Sequence, residues 1–585
     1  MSDEQAPEEH VADATREPLA SPAGGSFRED VSEQDIDGEP VPASHMADIH
    51  SEVRRQFELV PEIGTKWRWY DIPYRMLRWF ADSRVVRRMP WQVRHVAYRG
   101  LNFMMAFDHY ERLKIERLDN PMDNLIVDPA ERVTQGGLWV IEFFPPSQYS
   151  RLIRALRQNG WDKEKMFSSF GGSNAEQVTE ARRGRGFTWA RIGSVASPNS
   201  GYLLMDGKRE KLPPEFAYIE LSAVQIGQSL TAVVAFIRLS EQGSQSLNDV
   251  WHTTHEPYFE WRGLSRPVVE SRYFSAIRAT QNERNRLHDL ARSWLSDQCP
   301  GFFADSDSGQ PVVDFNLFAV HDPLAPAASL GGSDPLRALS MENQPFRTLT
   351  SPDMKGCVLI RGEALRRSER RLKNCWGIVG NLAIVEELND QIGYGDRPYA
   401  ASTLAAMLDD AVRSFLLYTA VMEYQLQLRA AYSSARDAAR VRHQRFKPRQ
   451  IEKLSQELLT SSLDLPVVSR DLSTLWESGY RRWNGISVAA EPVPTLPHPE
   501  EQFDYIEWLG ELREQTFQRL LEEDAAYRDV LSTVASLGSS AGQTRVGNRA
   551  LLVAVASLVV SLVALLIAAG QPSLAQQLWG WLQGK

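Results

Sequence analysis

Residues 218–239 read YIELSAVQIGQSLTAVVAFIRL. From Tyr218 to Ala223 the residues alternate, with Ile219, Leu221 and Ala223 on one side and Glu220 and Ser222 on the other. That period of two is the mark of a half-buried strand. Gly227-Gln228-Ser229 supplies a turn, and Leu230 to Leu239 follows as an almost wholly apolar run. The pair predicts an antiparallel hairpin. Its second strand is apolar on both faces, so it is expected near the centre of a sheet covered on both sides.

More strands and helices extend outward from this hairpin. Leu138-Trp139-Val140-Ile141-Glu142-Phe143-Phe144 reads as a buried strand ended by Pro145-Pro146, and Ser147 to Asn159 has helical periodicity. Pro267 to Leu295 predicts a long amphipathic helix, with Tyr273, Ile277, Thr280, Leu287, Leu290 and Trp294 near one face. Phe315–Val320 and Gly356–Ile360 are further short strands. A mixed α/β domain is expected over residues 121–325, then a linker over 326–350 rich in Pro, Gly, Ser and Asp, then a strand–helix connection over 351–397.

Beyond residue 398 the pattern turns helical. Leu404, Leu408, Ala411, Phe415, Tyr418 and Met422 form a heptad-like seam in a helix ending before Pro448. A second helix after Pro499 carries Ile506, Leu509, Leu512, Thr516, Leu520, Tyr527, Leu531 and Val534. Residues 398–545 therefore read as a coiled-coil-like helical stalk, able to pair within the chain or in a homo-oligomer. The next run, 550–569, is ALLVAVASLVVSLVALLIAA, twenty residues without a charge. At 1.5 Å per residue it matches a bilayer core of about 30 Å and predicts a transmembrane helix. Arg545 and Arg549 before it, with only Lys585 charged after it, place the N-terminal bulk in the cytoplasm. Trp579 and Trp581 suit the interface within the short distal tail, 570–585. The expected fold class is α+β: a mixed α/β cytosolic domain, a long-helix region and one C-terminal transmembrane helix, making a tail-anchored, single-pass membrane protein.

The net charge of -10 is local. Residues 1–48 hold 13 Asp/Glu and 2 Arg, leaving 63 basic against 62 acidic groups in the other 537 residues. Residues 1–50 are too polar to offset their ordering entropy and predict a disordered acidic tail. The balanced remainder disfavours a globally basic nucleic-acid binder. Its beginning, MSDEQAPEEH, lacks the basic-then-apolar start of a secretory signal. Three cysteines, Cys299, Cys357 and Cys375, without a CxxC spacing suggest buried thiols in a reducing compartment. Residues 51–120 form a basic, aromatic helical segment. Trp67, Trp69, Trp79 and Trp91 lie there, with 14 Lys/Arg between residues 54 and 118. Such a stretch packs on the next domain with snorkelling arginines, lies on anionic lipid, or grips a nucleic-acid backbone. Ile72, Met76, Leu77 and Phe80 would share one helical face that also holds Arg84.

For chemistry, the chain contains no phosphate-loop, dinucleotide, nucleophile-elbow, HExxH or zinc-cysteine pattern. Gly171-Gly172-Ser173-Asn174 and Arg182-Arg183-Gly184-Arg185-Gly186 are glycine loops beside cations, suited to an anion or to an ordinary turn. The metal candidates are His252, His255 and Glu256. On a helix the two imidazoles would share a face, and imidazoles with a carboxylate suit zinc or iron. Pro257 breaks a helix there, and hydrogen bonding or helix capping is the competing reading. No cofactor is implied.

The function expected first is a membrane-tethered cytosolic sensing or scaffolding protein, with the lipid bilayer as partner through residues 550–569. The second is an oligomeric channel subunit. The order of α/β domain, long helices and terminal apolar helix resembles, loosely and over about the last 190 residues, the layout of CorA-type magnesium channels. Those have two spans joined by Gly-Met-Asn, whereas this sequence has one apolar run followed by Gly570-Gln571-Pro572. The third is a metal-dependent hydrolase built on His252 and His255.

Overall fold

On the first long strand, alternate side chains go to opposite cores. Trp139, Ile141 and Phe143 join one buried cluster, while Leu138, Val140 and Phe144 join another. That alternation dictates a sheet with apolar cover on both faces. A computed structural model shows how the cover is built. It describes residues 54–55, 58–83, 89–115, 120–162, 173–184, 188–198, 207–261, 267–306, 309–325, 335–341, 347–362, 374–389, 400–442, 464–473, 475–476, 486–492 and 503–568. Met1–Val53 is a separate unit outside these residues, and the second unit is Arg54–Lys585.

The second unit begins with two helices, α1 (Asp71–Asp82) and α2 (Trp91–Leu113). Strand β1 (Val133–Phe144) precedes α3 (Tyr149–Gln158) and α4 (Asn174–Arg183). Next come β2 (Thr188–Ala196), β3 (Lys208–Arg209), β4 (Phe216–Ile226) and β5 (Leu230–Leu239). After α5 (Glu241–Trp251), the short pair β6 (Tyr258–Glu260) and β7 (Val268–Glu270) leads into α6 (Arg272–Gln298). Strand β8 (Val312–Phe318), the turn of helix α7 (Pro335–Ala338), β9 (Arg347–Thr350), β10 (Cys357–Arg361) and β11 (Cys375–Asn381) follow. The chain continues through α8 (Leu382–Leu388), α9 (Ala400–Arg442), β12 (Ala489–Pro492), β13 (Phe503–Asp504) and α10 (Tyr505–Ala568).

Eleven strands form one mixed sheet, in the order β13-β12-β9-β10-β11-β8-β1-β5-β4-β2-β3. The pairs β8–β11 and β2–β3 are parallel, and the other pairs are antiparallel. The hairpin of β4 and β5 is in register from Ile226↔Leu230, and β5 lies between β4 and β1, as its two apolar faces require. Gly227 turns the hairpin with φ +56°, a left-handed conformation that suits glycine.

One face of the sheet is covered by α9 and α10. Leu404, Leu408, Val412, Phe415 and Tyr418 of α9 are buried with Trp139, Phe236 and Phe315. Close approach is possible because β1 has glycine at its crossing: a Cβ on Gly136 would lie 2.6 Å from the Ala401 carbonyl oxygen. The predicted seam is therefore a core seam against strands of the same chain, and no coiled coil is seen among the described residues. The opposite face carries α3, α4 and α6, with Leu152, Leu156, Val178, Leu287 and Leu295 buried against Val140 and Ile237. A third cluster joins α5, α6 and β10, through Trp251, Ile277 and Ile360. The three cysteines are free and buried.

One expectation is overturned. Among the described residues no helix is long and apolar enough to cross a membrane. The expected transmembrane helix over 550–569, the tail-anchored, single-pass assignment and the membrane location with a cytoplasmic N-terminal bulk are corrected accordingly. Helix α10 runs unbroken through Gly538-Ser539-Ser540. The acidic tail, most of the 326–350 linker, and Trp579 and Trp581 lie outside the described residues.

Candidate functional site

The sequence draws attention first to His252, His255 and Glu256. They follow the end of α5. His252 Nδ1 lies 2.8 Å from the Asn248 carbonyl oxygen, and His255 Nε2 lies 2.9 Å from that of Val250. Glu256 Oε2 accepts from Arg272 at 3.3 Å. Each imidazole thus places a ring nitrogen on a carbonyl of the last turn of α5 that also accepts a backbone N–H.

A different group of ligand types does converge. Nε2 of His288, a carboxylate oxygen of Asp314 and Sγ of Cys375 lie within 4.8 Å of one another, all buried. Arg284 and His288 are one turn apart on α6 and face Asp314 at the middle of β8. Arg284 donates from Nε and Nη2 to the two Asp314 oxygens at 2.9 and 3.0 Å, and from Nη1 to the Leu339 carbonyl at 2.6 Å. His288 Nε2 lies 3.0 Å from Asp314 Oδ2. Burial works against the Asp314 charge, but Arg284 and His288 outweigh it and hold the carboxyl at about 2. Burial pushes the His288 imidazole below its ordinary range and the Cys375 thiol up to about 12. A cation would need the thiolate and a free carboxylate oxygen. The guanidinium fork occupies both oxygens and adds a positive charge beside them. The group is an ion-paired fastener between α6 and β8.

Glu142 of β1 is a second buried acid. Its carboxylate accepts from the backbone N–H of Phe303 at 2.6 Å and Ala304 at 2.9 Å, and from Gln310 Nε2 at 3.0 Å. Burial raises its pKa to about 7 in spite of those donors. It clips the segment after α6 to the C-terminal end of β1.

The glycine-loop candidates divide. Gly171, Gly172, Arg185 and Gly186 lie outside the described residues. Ser173 caps α4, its Oγ accepting from Glu176 N at 3.3 Å while its own N–H reaches Glu176 Oε2 at 2.9 Å. Arg182 and Arg183 line an open cleft of about 640 Å³ with Tyr149, Thr179, Ser229 and Asp464. Arg182 is already committed there. It lies 4.3 Å from the Tyr149 ring and donates to Thr231 Oγ1 at 3.1 Å and to the Ser229 carbonyl at 2.8 Å.

A further candidate is the surface of the α1–α2 hairpin. Its base is rigid. Asp71 accepts from Gly64 N at 2.6 Å and Arg68 Nε at 2.7 Å. Burial raises its pKa, but the Arg68 and backbone donors prevail and hold it at about 2. Arg68 also meets Asp108 of α2 at 3.4 Å, and Asp108 pairs with Arg112 at 3.0 Å. Phe103, Phe107 and Tyr110 of α2 pack edge-on or tilted around Phe259 of β6, with ring centroids 5.5 or 5.6 Å apart. Above that base, Leu77 meets Gly100, where a Cβ would come within 2.8 Å. Ile72, Met76 and Trp79 then occupy positions i, i+4 and i+7 of α1, one stripe, and are 42%, 67% and 76% exposed. Trp67, at 82% exposure, lies beside them with the Arg75 guanidinium 4.7 Å from its ring. Trp91, Val93, Val96 and Tyr98 of α2 are exposed too. Arg75, Met76, Leu77, Trp79 and Phe80 enclose a shallow apolar cleft of about 480 Å³.

No family model, curated protein or solved structure matches the chain.

The sequence put Ile72, Met76, Leu77 and Phe80 on one helical face and left open whether that segment packs on the next domain, lies on lipid or grips nucleic acid. The buried Arg284–His288–Asp314 group was missed. Its signal was legible: Arg284 and His288 interrupt the apolar stripe of α6, and Asp314 interrupts an apolar strand, VVDFNLF. Charges on buried faces imply partners.

Proposed function

We propose that this chain is a binding or scaffolding protein that engages its partner through the outer face of the α1–α2 hairpin. The observation that carries this reading is the outward apolar stripe of Ile72, Met76 and Trp79. A helix ordinarily turns such a stripe to the core. Here the core side of α1 is filled by Asp71 and Tyr74, which are buried, and the stripe faces water. Contiguous exposed apolar surface rimmed by cations marks an interaction site. The sheet and its covering helices serve as the rigid platform that displays it. The strongly perturbed acids and thiols, Glu142, Asp314 and Cys375, are buried and support the platform.

The test replaces the stripe, Ile72→Ser with Met76→Ser and Trp79→Ser, and measures urea unfolding of the full chain. An interaction surface takes no part in the core, so stability should stay within about 0.5 kcal/mol of the parent. A loss of about 3 kcal/mol or more, the size expected for truncating buried side chains, would assign the stripe to the core and end this reading.

A further inference from the structure

We infer that the α1–α2 face is a docking site for an anionic phospholipid surface, entered from the headgroup side; this rests on the reading of that face as an interaction surface. Three features favour lipid over an acidic protein. The first is shape. The exposed groups lie on the outer surfaces of α1 and α2, and the cleft on α1 is shallow. A peptide or helix is held in a groove, whereas a bilayer accepts a convex apolar face laid along it.

The second feature is the residue set. Trp67, Trp79 and Trp91 are exposed with Met76 and Val96. Tryptophan favours the headgroup zone, where the indole ring is buried and its N–H stays hydrated. Arg75 lies against the Trp67 ring at 4.7 Å, and its Nη2 donates to the Lys66 carbonyl at 3.0 Å. The cation and the aromatic ring thus sit at one depth, as snorkelling side chains do at an interface.

The third feature is charge. Residues 54–118 carry 14 Lys/Arg against 7 Asp/Glu. Arg75 and Arg78 flank the apolar stripe on α1, and Arg94 and Arg99 of α2 are exposed as well. Asp82 is the acid nearest them on α1, and Arg78 lies 3.9 Å from it. Each cation held near an anionic leaflet adds to the attraction, which fades with salt.

The experiment is co-sedimentation of the full chain with phosphatidylcholine vesicles, with and without about one third phosphatidylserine. It compares the parent with Met76→Glu/Trp79→Glu, whose folding is checked by circular dichroism and urea midpoint. The two chains differ only on this face, so the difference isolates the hairpin. The parent should bind the phosphatidylserine vesicles at least tenfold more tightly than the variant, and added salt should weaken it. Equal binding by parent and variant, or no binding by the parent, would overturn the inference. Polyglutamate serves as the competing probe. If it binds the parent and not the variant while the vesicles bind neither, the partner is an acidic protein. The lipid assignment then fails, and the interaction surface stands.

Discussion

Glu142 shows what one residue does when four donors converge on it. A carboxylate inside a sheet is costly unless its oxygens are filled. Here the N–H groups of Phe143, Phe303 and Ala304 and the Gln310 amide fill them. Desolvation still raises the pKa from 4.5 to about 7. The folded state then holds a proton that the unfolded chain releases near 4.5. The stabilisation from this group is fully present below pH 4.5 and is lost as pH rises through about 7, by about 3 kcal/mol in all. The substitution Glu142→Gln removes the titration. Urea midpoints measured at about pH 5 and about pH 8 should fall with pH more steeply in the parent than in the variant. An identical pH dependence in both would show that Glu142 does not hold the proton.

At the scale of elements, the hairpin of residues 218–239 and the strand at 138–144 were readable because apolar alternation and a glycine turn are local signals. The long helices were readable for the same reason. What each helix packs against was not, because a stripe tells which side is buried and not by what. The seam from Leu404 to Met422 thus read as a coiled coil, and it covers a sheet. Ile72 and Met76 read as one helical face of undecided surroundings, and they face water because Asp71 and Tyr74 hold the inner side. The run at 550–569 read as a span from composition alone. The Asp314 group was hidden for another reason: its members come from α6, β8 and β11, and only the fold brings them together.

That group fastens α6 to the sheet. Asp314→Asn leaves the Arg284 charge buried without its partner, which should cost about 3–5 kcal/mol in urea unfolding. A change below about 1 kcal/mol would mean that the fork is not a fastener.

At the largest scale, the two-sided sheet, its buried ion pairs and its helical cover pack into one body within the second unit. The α1–α2 hairpin differs from this body. It is anchored at its base by Arg68, Asp71, Asp108 and Arg112 and leaves tryptophan, methionine and isoleucine in water. A molecule that is packed where it is buried and apolar on an exposed face is built to present a surface. The measurement that tests this most directly is hydrogen–deuterium exchange of the full chain, with and without phosphatidylserine-containing vesicles. Slowed exchange concentrated in residues 71–82 and 91–99 is the result predicted. Slowed exchange elsewhere, with these two stretches unchanged, would contradict the assignment of the hairpin as the contact face.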